Sequence, residues 1–383
     1  MKKKPWKRIV FDIFSLLLII VFAGLLAIRV RSINTESDSS VSQGNAEQIV
    51  QNHTLEMSLL QKSSLNNKSL LKSKKNSELI TNIDELTKNQ FKGAYVGIKG
   101  DRILFSGGSG YANAKNQTIF KLNSSFAVGS YQDFLNNAIL VRMSQKRRLN
   151  LDKELKKYLP KLSGTNIKVG NFLKNKVHFY IKKSDVEKLE TDKKVNIRSF
   201  SSTPSSLKYI SVNSIIKKIL ITKVSSLSYE ESLNEWLSSK LNLMDIRTCS
   251  TEEVQANDVI GYSHLKENGK LIQKNPIAED QLVNGVPAIR MSMADIIVAS
   301  YKILGNEYFD KKYNNLFRTM NNADNLGSVF TANRYKLSTH SSGQYLYLKA
   351  DLNGSKIVLL AANYPNKNIT LSREANVLFE LVE

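Results

Sequence analysis

Apolar positions divide the chain into three regimes. From Ile9 to Ile28 every residue is apolar except Asp12 and Ser15. Twenty helical residues span about 30 Å, the thickness of a bilayer core. Between residues 32 and 77 apolar residues are sparse, Ser, Asn, Gln and Lys dominate, and proline is absent. That composition predicts a flexible spacer. From Ser77 the pattern becomes that of a folded domain. Leu79, Ile80, Ile83 and Leu86 fall on one side of a helix. Two apolar runs, Gly93–Gly100 and Arg102–Ser106, meet across Gly100-Asp101 and predict a β-hairpin. A second hairpin is predicted near the C-terminus, with Gln344–Lys349 and Lys356–Ala362 flanking the turn residues Leu352-Asn353-Gly354-Ser355. Leu371, Ala375, Leu378 and Leu381 then give a final helix. The middle, residues 130–320, has mostly helical and loop character. Strands at both ends with helices between predict an α+β domain. Its antiparallel sheet is built from the N- and C-terminal segments, flanked by helices, with a mostly helical region inserted.

Charge adds an orientation and a class of partner. Lys2, Lys3, Lys4, Lys7 and Arg8 precede the apolar stretch, which places the N-terminus in the cytoplasm and the domain on the other side of the membrane. The stretch exceeds the core of a secretory signal and ends in Leu-Ala-Ile-Arg rather than small residues, so an uncleaved anchor is favoured. The expected organisation is a basic tail at 1–8, a single-pass anchor at 9–28, a linker at 29–77 and one domain at 78–383. The formal charge is +21. Residues 1–31 hold seven basic residues and one acid, which leaves +15 outside. Such a charge attracts polyanions. For an exported domain these are anionic lipids and wall polymers of the teichoic-acid type rather than nucleic acid. A lysine- and asparagine-rich compositional bias with no specific partner is the plain alternative.

The single cysteine, Cys249, excludes an internal disulfide and suits a buried small side chain. The histidines, His53, His178, His264 and His340, have no metal-ligand spacing. No Gly-rich phosphate loop, zinc pattern or helix-turn-helix is present. Neither a metal nor a cofactor is implied.

Several segments, taken in order, resemble the serine β-lactamase and DD-peptidase (penicillin-binding-protein) superfamily, in particular its class C-like branch. Residues 108–160 contain a Gly-Tyr-Ala-Asn turn, a Phe-x-x-Gly-Ser approach to a helix, and a Leu-x-Leu-Asp…Tyr-Leu-Pro run. Residues 228–248 are similar to the helix before that family's Pro-Leu-Gly-Met…Thr phrase. Residues 284–304 are similar to its Gly…Ser-x-x-Asp helix, and the last hairpin fits its final strands. The resemblance covers about residues 80–383.

The resemblance also implies where the chemistry would lie, and each piece is altered. The family's Ser-x-x-Lys puts hydroxyl and amine on one helical face. Here it reads Ser130-Tyr131-Gln132-Asp133, so the serine remains and the lysine is an aspartate. Tyr-x-Asn reads Tyr209-Ile210-Ser211. The Lys-Thr-Gly or His-x-Gly strand motif falls in Thr339-His340-Ser341-Ser342-Gly343. One register aligns His340 and replaces the glycine by Ser342; the other aligns Gly343 and replaces the basic residue by Ser341. A His-x-Ser-Gly loop is replaced by the sequence from Lys174 to His178. Ser130, Tyr209 and His340 are therefore vestigial catalytic candidates, with Asp133 in place of the lysine. Ser211, Ser341, Ser342 and Gly343 are candidate binding residues. Each also has an ordinary structural reading, Ser130 as a helix N-cap above all.

Three readings follow as expectations. One is a catalytically impaired domain that binds or scaffolds envelope components: an anionic wall polymer, a peptidoglycan-related ligand or a partner protein. Another is a divergent serine hydrolase, an esterase or carboxypeptidase acting on wall polymers through Ser130. A decayed paralogue without a selected role is the third.

Overall fold

The computed structural model describes residues 74–382 except 90, 163–165, 183, 185–197, 201–208, 250–253, 265–270, 275–288, 321–327, 332 and 365–368. The apolar stretch 9–28 and the spacer before residue 74 lie outside the described residues. Among the described residues no helix is long and apolar enough to cross a membrane.

The main helices are α1 (Lys74–Lys88), α2 (Tyr131–Gln145), α3 (Asn213–Ser225), α4 (Met293–Leu304), α5 (Lys311–Met320) and α6 (Leu371–Leu381). The main strands are β1 (Gly93–Lys99), β2 (Arg102–Ser109), β3 (Ser328–Phe330), β4 (Arg334–Ser341), β5 (Gln344–Asp351) and β6 (Lys356–Ala362). Among the described residues these strands form one antiparallel sheet in the order β3-β4-β5-β6-β1-β2. The first and last strand pairs of the domain meet at its centre, where β1 pairs with β6 in the register Gly93↔Ala362 to Lys99↔Lys356.

The central strands read as unbroken apolar runs because both their faces are covered. β1 is buried from Gly93 to Ile98 and β6 from Ile357 to Ala362. One face carries the amphipathic helices α1 and α6. Leu79, Leu86, Leu378 and Phe379 pack there on Phe91, Tyr95, Tyr347 and Leu360. The other face carries α2, α4 and α5. Phe134 of α2 lies 5.1 Å from the Tyr335 ring of β4 and 5.0 Å from Phe317 of α5. The turn between β5 and β6 is held by Asp351, which accepts from Ser355 Oγ at 2.6 Å and from the Lys356 amide at 3.1 Å.

The inserted region differs from the sequence expectation in one respect. It contains short strands as well as helices. Ile289–Ser292 pairs with Ser125–Ala127 on one side and Ile246–Thr248 on the other, and His178–Lys182 pairs with Arg198–Phe200 and Tyr209–Ser211. Strands of three to five residues are too short to show an alternating pattern. Cys249 is buried, as its isolation in the sequence suggested.

Candidate active-site cleft

Ser130 stands where the strand Ser125–Ala127 gives way to α2. The chain turns there through Gly129, with φ of +52°. A Cβ on Gly129 would lie 2.3 Å from Thr339 Oγ1 and 3.5 Å from Ser341 Cβ. The start of α2 is thereby pressed against the inward face of β4. The Ser130 amide donates to Thr339 Oγ1 at 2.8 Å. Three residues back, the Ala127 amide donates to Gln344 Oε1 at 2.9 Å. The Ser130 hydroxyl does not cap the helix. Among the described residues the capping serines are Ser228, whose Oγ accepts from the Glu231 amide in a capping box, and Ser292, whose Oγ accepts from the Asp295 amide. Ser130 therefore lacks the ordinary reason for a serine at a helix start.

One turn into α2, Asp133 is buried with a relative exposure of 6%. Its partner is Lys217 of α3, fully buried at 0%. Lys217 Nζ donates to Asp133 Oδ2 at 2.6 Å, and Ser214 Oγ reaches Oδ1 at 3.4 Å. Asn175 Oδ1 lies 3.4 Å from the same ammonium. A charge this deep is tolerable only when paired and hydrogen-bonded. α3 is held in place by Asn213, which accepts from the Phe179 amide at 2.9 Å and donates to the Val177 carbonyl at 3.0 Å. His178, at the edge of this group, is held below the ordinary histidine pKa by burial first and by the Lys217 charge second.

The rest of α2 is polar on a wholly buried side. Gln132 Nε2 donates to Tyr229 Oη at 3.1 Å, and Tyr229 Oη donates to Asn136 Oδ1 at 2.7 Å. Burial pushes the Tyr229 hydroxyl well above the usual phenol range, with its bonds to Gln132 and Asn136 opposing the shift. Its hydroxyl joins Gln132 to Asn136 inside the protein.

The sequence-derived residues separate into groups. Ser130 and Asp133 lie on α2, and Ser341 stands beside Gly129. His340 does not join them. Strand alternation sends Thr339 and Ser341 inward and His340 outward, where it is exposed and stacked on Tyr345 with centroids 5.6 Å apart. Ser342 and Gly343 form the β4–β5 turn, with φ of +50° and +74°. That turn is packed on residues 261–262, where a Cβ on Gly343 would lie 2.8 Å from the Tyr262 carbonyl oxygen. Tyr209 and Ser211 belong to the short strand paired with His178–Lys182. Ser211 is exposed, and the Tyr209 side chain lies outside what is described.

Two participants were not singled out in the sequence. Lys217 lies four residues after Asn213 and four before Ile221, so it shares their buried stripe. That placement was a readable signal of a partnered charge. Thr339 carried no comparable signal.

This architecture matches that of known proteins. Structural neighbours include FmtA from Staphylococcus aureus, with a TM-score of 0.63 and 17% identity over 81% of this chain and 87% of that one. A class C β-lactamase from Rhodobacter sphaeroides matches with a TM-score of 0.54 and 13% identity over 79% of this chain and 97% of that one. The chain has the serine β-lactamase and penicillin-binding-protein fold. In sequence, PbpX of Bacillus subtilis (strain 168), named for penicillin binding, is 23% identical over 323 residues, 81% of each chain. No family model matches the chain. The β-lactamase-type fold puts Ser130 at the N-terminus of the central helix against the inward face of β4. The Asp133–Lys217 pair lies directly behind it.

Proposed function

We propose that this protein is a catalytically impaired β-lactamase-related domain, held at the membrane by residues 9–28, that binds a cell-envelope component. The pairing of Asp133 with Lys217 carries this reading. A serine hydroxyl becomes an effective nucleophile only when a base takes its proton during attack. The position one turn after Ser130 holds an aspartate. Its carboxylate is already engaged by a buried ammonium at 2.6 Å. The same contact gives the Lys217 amine a salt-bridge partner in place of a role as free base. The Ser130 amide, a natural donor for an oxyanion, is turned onto Thr339 Oγ1 at 2.8 Å.

The test is intact-protein mass after incubation with a β-lactam and with a fluorophosphonate. Neither should leave an adduct. An adduct on the parent that is lost in Ser130→Ala would establish the alternative, a divergent serine hydrolase. The anchor has a separate test: protease added to intact spheroplasts should digest the domain, and full protection would refute the proposed topology.

A further inference from the structure

The outward face of β4 carries a graded ladder on the side of the strand away from Ser130, while Tyr347 and Lys349 of the neighbouring β5 are buried against α6. The register pairs His340 with Tyr345, Ser338 with Tyr347, Lys336 with Lys349 and Arg334 with Asp351. One end is aromatic and hydroxylic, and the other is basic. The ladder covers seven residues of strand, about 20 Å.

At the aromatic end is a cavity of about 510 Å³ whose lining includes Lys92, Ser338, His340, Tyr345, Tyr347 and Tyr364. No carboxylate is among its described lining residues. His340 and Tyr345 stack with their ring planes 25° apart, with the exposed Ser338 beside them. Flat rings flanked by hydroxyls suit the apolar face and the hydroxyl edge of a sugar, since an aromatic ring offers contact area at low entropic cost. A cationic ligand would meet Lys92 and no acid.

At the other end three cations converge on the Phe379 ring. Lys356 Nζ lies 4.4 Å from its centroid, Lys349 Nζ 4.6 Å and the Arg334 guanidinium 5.1 Å. Glu380 accepts from Lys349 at 3.0 Å. The Asp351 carboxylate is committed to its turn. Burial depresses the Lys356 amine, Glu380 opposes that shift, and Arg334, Lys99 and Lys349 add to it. The cations thus outnumber the acids that face them.

We infer that the outward face of β4, with Tyr345 of β5, is a second binding site, for a sugar-bearing polyol phosphate polymer whose sugar lies on His340 and Tyr345 and whose phosphates follow Lys336 and Arg334. This rests on the reading that the domain binds envelope polymers and gives that reading a location away from Ser130. Successive side chains on one strand face are about 7 Å apart, a step an extended phosphodiester chain can match.

The experiment titrates the full chain in detergent with a hexosyl-substituted glycerol phosphate oligomer, its unsubstituted counterpart and a neutral hexose oligomer, at low and high salt. The substituted oligomer should bind tightest, the unsubstituted one about tenfold more weakly, and the neutral one without salt dependence. His340→Ala, at an exposed position, and Tyr345→Leu should each weaken the substituted oligomer several-fold and leave the unsubstituted one unchanged. Arg334→Ala with Lys336→Ala should flatten the salt dependence. The charge-matched control Lys115→Ala with Lys121→Ala, at exposed positions elsewhere, should change little. No binding by the parent to either phosphate oligomer would defeat the envelope-polymer reading itself. Binding by the parent that none of the β4 and β5 substitutions weakens would overturn this site alone, as would equal loss in the control.

Discussion

Lys217 Nζ lies 2.6 Å from Asp133 Oδ2 and joins α3 to α2 inside the protein. The cation sits one helix away from the lysine position of the Ser-x-x-Lys motif, and an anion occupies that position. The first prediction concerns this pair. Lys217→Met leaves a buried carboxylate unpaired and should cost about 3–5 kcal/mol. Lys217→Met combined with Asp133→Asn should recover most of that loss, because an uncharged pair has no desolvation penalty. Urea denaturation of the parent, both single variants and the double variant measures the coupling. Equal stability in all four would show that the pair is not formed.

Asp133→Lys should not produce a β-lactam adduct. It sets two ammonium groups against each other in the space that holds one ion pair, and it leaves the Ser130 amide on Thr339. The variant should be less stable than the parent by several kcal/mol. Asp133→Lys with Lys217→Leu should regain stability and still give no adduct. Mass spectrometry and thermal melting report the two effects separately.

Gly129→Ala should destabilise the fold by about 1–3 kcal/mol, since φ of +52° is strained for any residue with a Cβ. The new methyl group would also meet Thr339 Oγ1. Thr339→Ala alone loses the acceptor of the Ser130 amide, and adding Gly129→Ala to it, with no hydroxyl to meet the new methyl group, should cost only the backbone strain. Melting temperatures of these variants check the order.

Tyr229→Phe removes a hydroxyl that donates to Asn136 and accepts from Gln132 inside the protein. Leaving buried polar groups without their partner costs about 1–3 kcal/mol. The loss should show as a lower urea midpoint with an unchanged slope.

His178 makes stability depend on pH. Its folded-state pKa is depressed, by burial and then by Lys217. The unfolded chain therefore binds a proton more readily than the native state. Stability from this group is full above the ordinary histidine pKa, about 6.5. It is lost as pH falls from there through the lower folded value. The parent should lose melting temperature over that interval more steeply than His178→Gln. Parallel curves for the two would refute this.

Much of the fold was legible because it rests on local periodicity. The Gly100 and Asn353-Gly354 turns, the apolar runs of β1 and β6, and the stripes of α1 and α6 all appear as patterns along the chain. Those patterns suffice to place the terminal segments in one antiparallel sheet. The three-residue strands of the inserted region were not legible, because their pairing with distant segments, rather than their own residues, makes them strands.

The sequence alone determined that Ser130 is suited to open a helix and that an aspartate stands three residues after it. Residue type and helical spacing fix such facts. Only the tertiary structure decided that Asp133 and Lys217 neutralise each other, that Thr339 takes the Ser130 amide, and that His340 faces away from the serine. The first two depend on the distance between elements far apart in sequence. The last depends on strand register, where a slip of one residue exchanges the two faces of the sheet.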